Sequence, residues 1–68
     1  MSVYKVVELI GTSPTGWEDA AQNAVEQASK TLRQLRVAEI KELDIAIDDD
    51  GKMTYRAKVN LSLKYEGD

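Results

Sequence analysis

The side chains best equipped for chemistry in this chain are oxygen donors. Twelve Asp and Glu stand against nine Lys and Arg, and neither His nor Cys occurs in the 68 residues. The usual general base, the thiol nucleophile and the common zinc ligands are therefore missing. For a cation there remain carboxylate and carbonyl oxygens, which suit calcium or magnesium rather than a soft metal. The densest acidic group is Asp48-Asp49-Asp50, with Glu42 shortly before it. The triplet does not follow the Asp-x-Asp-x-Asp-Gly spacing and terminal Glu of an EF-hand loop. Asp48, Asp49 and Asp50 read either as calcium ligands or as a solvated hairpin tip. Glu42 reads either as one member of an acidic ring around a symmetry axis or as the cross-strand partner of Lys58.

Other chemistries fit less well. Ser13, Ser29 and Ser62 have no His, and no Lys that the pattern sets beside them, so catalysis is not expected. The run Gly11-Thr12-Ser13-Pro14-Thr15-Gly16 offers N–H groups to a phosphate before a helix. It lacks the lysine and the glycine spacing of a P-loop, and helix capping is the simpler reading. A net charge of -3 argues against nucleic-acid binding, which calls for a basic stripe. No apolar run nears the roughly 18 residues of a membrane span. No basic leader with an apolar core is visible and Cys is absent, so a cytoplasmic location is expected.

These side chains need elements to position them. From Met53 to Tyr65 the residues alternate without a slip, with Met53, Tyr55, Ala57, Val59, Leu61, Leu63 and Tyr65 on one face. That is a half-buried strand of roughly 40 Å at about 3.3 Å per residue. Residues 3–10 are rich in β-branched types and predict a first strand, ended by Gly11. Ser13 as N-cap and Pro14 at the first helical position then start a helix over residues 14–35, with Glu18 and Asp19 at its positive end. Its apolar face is Trp17, Ala20, Ala21, Ala24, Val25, Ala28, Leu32 and Leu35, spaced for one stripe. Trp17 is expected to pack there rather than serve as a ligand platform.

A second strand over residues 37–47 carries Leu43, Ile45 and Ile47. Setting Ile47 opposite Met53 aligns Ile45 with Tyr55 and Leu43 with Ala57. The same register aligns Asp48 with Lys52, Asp44 with Arg56 and Glu42 with Lys58, opposite charges each time. Asp49-Asp50-Gly51 is then a three-residue loop with Gly51 free to take positive φ. The result is one α+β domain over residues 1–68, ordered β-α-β-β: a three-stranded antiparallel sheet packed on one helix. One helix shields such a sheet poorly, and no disulfide helps a chain this small. The protomer is expected to complete its core against copies of itself.

This order, with Val-Tyr-Lys-Val-Val-Glu-Leu-Ile-Gly-Thr-Ser-Pro at the start and Lys-Thr-Leu-Arg closing the helix, resembles the dodecin family over nearly the whole chain. The junction ELIGTSPTGWEDAAQNAV is the most specific part. The resemblance implies a hollow homododecamer that binds and stores a small ligand without catalysis. In flavin-binding dodecins a Trp near the start of the second strand stacks on the isoalloxazine ring, and a Gln on the third strand hydrogen-bonds its edge. The matching positions here are Val37 and Arg56. Val has no π face, so a stacking gain of about 1 kcal/mol is lost. Arg has donors but no acceptor for the ring edge. The resemblance therefore points to the Trp-lacking branch, which includes calcium-binding dodecins. It implies calcium as the favoured ligand, with riboflavin or FMN bound weakly or not at all. A flavin-binding dodecin with an altered site, and a structural shell without a dedicated ligand, stand as alternatives. An anion met by Arg33, Arg36 and Arg56 at a subunit contact is also left open.

Overall fold

The long alternating run does form the expected strand, and it is the central one. The computed structural model describes residues 2–65. It has β1 (Tyr4–Ser13), α1 (Trp17–Ser29), β2 (Leu35–Ile47) and β3 (Met53–Lys64). The fold is α+β, with β3 lying between β1 and β2 and antiparallel to both.

The β2–β3 register is the one the charges demand. Ile47 faces Met53, Ile45 faces Tyr55 and Leu43 faces Ala57, while Asp44 faces Arg56 and Glu42 faces Lys58. At the tip Asp48 N donates to Lys52 O at 3.0 Å, and Gly51 takes a φ of 81°. The Asp48 carboxylate caps the turn, its Oδ1 accepting from Asp50 N at 3.0 Å and Lys52 N at 2.8 Å. Two register shifts interrupt β2, at Arg36 and at Lys41. Each inserts one extra residue, as a β-bulge does. The second lets Ile40 and Leu43, three positions apart, point to the same face opposite Val59 and Ala57.

The core is small and built on close approach. Ala57, Val59 and Leu61 of β3 are at most 1% exposed and meet Ala20, Ala24 and Ala28 of α1. Leu9, Ala21, Val25, Leu32 and Leu35 surround them. The short side chains let the helix lie low on the sheet, most of all above Gly11. A Cβ at Gly11 would sit 2.0 Å from Ala20 O and 2.9 Å from the Ala24 Cβ.

Several boundaries differ from those expected above. Gly11 does not end β1; the strand runs on to Ser13, and the missing side chain serves helix contact instead of chain breaking. Ser13 is not the N-cap and Pro14 is not the first helical residue, because α1 begins at Trp17 with Gly16 as its N-cap residue. Ser13 is instead buried, at 2% exposure, and organises the junction. Its Oγ accepts from Thr15 N at 3.0 Å and Gly16 N at 3.4 Å and donates to Asp19 Oδ2 at 2.7 Å. The helix stops at Ser29 rather than Leu35. Leu32 N still returns to Ala28 O at 2.8 Å, but Gln34 turns left-handed at φ 64° and its carbonyl accepts from Lys64 N at 3.0 Å. Leu35 therefore already belongs to β2, two residues before the expected start. Lys30 is the C-cap residue, and Arg33 lies beyond the helix.

The helix packs mainly on β1 and β3 and barely touches β2. On the helix side of the sheet Ile40, Leu43, Ile45 and Ile47 are left 37–69% exposed, with Met53 beside them at 52%. Among the described residues no helix is long and apolar enough to cross a membrane.

Candidate functional site: the polar face of the sheet

The face of the sheet turned away from α1 is a lattice of cross-strand rows, because period-2 alternation sends every second side chain there. From the hairpin inward the rows are Thr12–Arg56–Asp44, Ile10–Lys58–Glu42, Glu8–Asn60–Glu39 and Val6–Ser62–Val37. In the first, Arg56 grips Asp44 with two bonds, Nε to Oδ1 at 2.7 Å and Nη2 to Oδ2 at 2.9 Å. The hydrogen bond from Arg56 holds the Asp44 carboxyl below its ordinary value of 3.8, and the same bond raises Arg56. In the second row Lys58 Nζ lies 3.2 Å from Glu42 Oε1. That bond, then the charges of Glu42 and Glu8, push the Lys58 ammonium up.

The third row differs. It sets two carboxylates, Glu8 and Glu39, on either side of an amide, with no basic residue in register. The Asn60 Oδ1 is buried and has no hydrogen-bond partner among the described residues. Nothing in the sequence alone marks Glu8, Glu39 and Asn60 as a group. Their juxtaposition depends on β3 being central, and alternation within one strand does not give strand order.

The predicted site residues are spread out. Val37 is 58% exposed and faces Ser62. Arg56 is six positions along β3 from Ser62, about 20 Å at ~3.3 Å per residue, so one protomer does not bring Val37 and Arg56 together. Glu42 lies mid-strand in its pair with Lys58, while Asp48, Asp49 and Asp50 form the exposed hairpin tip. Among the described residues no three acidic side chains converge to hold a metal ion. Arg36, at the first bulge, folds back onto the Leu35 carbonyl and the Gln34 side chain. Trp17 packs edge-on against Tyr55, ring centroids 5.3 Å apart, and its Nε1 donates to the Asp44 carbonyl at 3.0 Å. It ties the start of α1 to β2.

Comparison with known proteins agrees with this architecture. The family model Dodecin matches residues 3–66. Calcium dodecin from Mycobacterium tuberculosis is 53% identical over 64 residues, covering 94% of this chain and 90% of the relative. Dodecin from Thermus thermophilus is 42% identical over 64 residues, covering 94% and 93%. The crystal structure of the Mycobacterium tuberculosis calcium dodecin, described as calcium-chelating and as having a calcium-binding site, aligns with a TM-score of 0.87 at 51% identity. That alignment covers 96% of this chain and 93% of the other. With the β-α-β-β order, the central β3 and the Gly11-Thr12-Ser13-Pro14 junction all in place, the chain belongs to the dodecin family.

Proposed function

We propose that this chain is a non-catalytic binding and storage protein that assembles as a hollow shell of twelve copies and takes up divalent cations, calcium foremost. The likeness to calcium dodecin carries the choice of ion. The physical support is the donor set. Oxygen is the only kind of metal ligand this chain offers in number, and calcium takes about 6–8 oxygens. One protomer does not gather that many, whereas symmetry repeats each carboxylate around an axis. Glu42, Asp48, Asp49 and Asp50 are the proposed ligands, each combined with its copies. Twelve copies at -3 each carry a formal charge of -36, which draws counter-ions to any enclosed acidic surface.

The test is thermal unfolding. A ligand that binds only the folded assembly stabilises it by about 2.7 kcal/mol at a hundredfold excess over Kd. Millimolar calcium raises the melting temperature at fixed ionic strength, and a chelator lowers it. Magnesium acts more weakly, because it demands octahedral geometry and releases water reluctantly. Glu42→Gln or Asp49→Asn diminishes the calcium effect. Melting that ignores both calcium and chelator replaces this reading with a structural shell that has no dedicated ligand.

A further inference from the structure

Asp50–Gly51 is the one place in the 68 residues where Asp or Asn precedes Gly. Such a pair can close on itself. The amide nitrogen of the glycine adds to the carboxyl carbon of the aspartate, and glycine has no side chain to block the approach. The new C–N bond makes a five-membered imide, and the carboxyl hydroxyl leaves with the amide proton as water. Water then opens the ring at either carbonyl. Opening at the side-chain carbonyl restores aspartate, and opening at the α-carbonyl leaves isoaspartate. No reactant but water is needed.

The hairpin tip leaves room for this reaction but holds its nucleophile back. Residues 48–52 are exposed, and a Cβ built on Gly51 would meet nothing within 4 Å. To attack, however, Gly51 N must swing toward the Asp50 carboxyl. In the folded chain it donates instead to Asp48 O at 2.9 Å. The Asp48 carboxylate holds the flanking amides, its Oδ1 accepting from Asp50 N at 3.0 Å and Lys52 N at 2.8 Å. The groups that must move are thus tied to a single residue, Asp48.

We propose that Asp50–Gly51 is a site of spontaneous isoaspartate formation and that Asp48 is its guard. Isomerisation would route the backbone through the Asp50 Cβ, adding one carbon to the loop that sets Ile47 opposite Met53. It would also move the free carboxylate onto the Asp50 Cα, shortening its reach. The product is a lengthened turn with a displaced charge at the tip of the β2–β3 hairpin. This chemistry is independent of cation binding, and chelator in every arm of the test keeps the two apart.

The intact protein is incubated at neutral pH, folded and in guanidinium, and isoaspartate at position 50 is followed by peptide mapping. Electron-transfer fragmentation distinguishes the isomers, whose masses are equal. A turn closed by several hydrogen bonds keeps its open form scarce, so the folded chain should react about tenfold more slowly than the denatured one, or slower still. Asp48→Ala removes the side-chain acceptor and should raise the folded rate about tenfold. Asp48→Asn keeps an Oδ1 acceptor and should stay near the native rate. Equal rates in the folded and denatured chains overturn the guard. So does an Asp48→Ala rate equal to the native one in a variant with native circular dichroism. Absence of isoaspartate at position 50 in the denatured chain overturns the site itself. Should Asp48→Ala fail to fold, the comparison of folded with denatured native chain decides alone.

Discussion

At the scale of single residues, the pair Asp44–Arg56 links register to pH. A carboxyl whose pKa falls on folding contributes stability above its unfolded value and loses it as pH drops through the folded one. The Asp44 carboxyl is lowered from 3.8, chiefly by the hydrogen bond from Arg56. Its contribution is therefore complete at neutral pH and vanishes in acid. Melting curves of Asp44→Asn should run slightly below those of the native chain at neutral pH and merge with them well below pH 3.8. A gap that persists in strong acid would assign the loss to something other than this charge. This pair was legible in the sequence, since the alternation of apolar residues fixes which charges meet. Ser13 was only half legible. Its type signals a helix start, but Ser followed by Pro does not reveal that the hydroxyl would turn inward to Asp19 and leave the N-cap position to Gly16.

At the scale of elements, the helix–sheet contact depends on Gly11. The side chain of Ala there would run into the Ala20 carbonyl, which belongs to helix backbone and cannot swing away. Gly11→Ala should cost about 1–3 kcal/mol as overpacking, at roughly 4–8 °C of melting temperature per kcal/mol for a domain of this size. An unchanged melting temperature would mean that α1 rides higher than described. The hairpin could be read from the sequence because two independent patterns, apolar and charged, agree on one register. The bulges at Arg36 and Lys41 could not, because an extra residue in an edge strand leaves no mark on the partner's alternation. The early end of α1 was hidden for a related reason. Leu32 and Leu35 continue the helical spacing, although Leu35 packs half-buried against the core from a strand.

At the scale of the whole molecule, the candidate site was the least legible part, since its residues converge only if several copies meet. Val37 and Arg56 lie too far apart to act together in one protomer, and Val37 has no ring to stack. Riboflavin fluorescence should therefore stay nearly unchanged on titration with the assembly, and Val37→Trp with Arg56→Gln should produce quenching. Strong quenching by the native chain would show that another side chain supplies the stack. The central position of β3 also has a kinetic meaning. Its pairs with β2 begin with residues as near as Ile47 and Met53, whereas its pairs with β1 join residues as distant as Tyr4 and Lys64. Loop-closure entropy grows with the length of chain enclosed, so it favours the hairpin closing before β1 can be captured. In that interval the ridge of Ile40, Leu43, Ile45 and Ile47 faces solvent with neither helix nor neighbour over it. The two bulges and the acidic tip then act as gatekeepers, bending and charging the exposed edge so that half-folded chains do not zip together strand to strand.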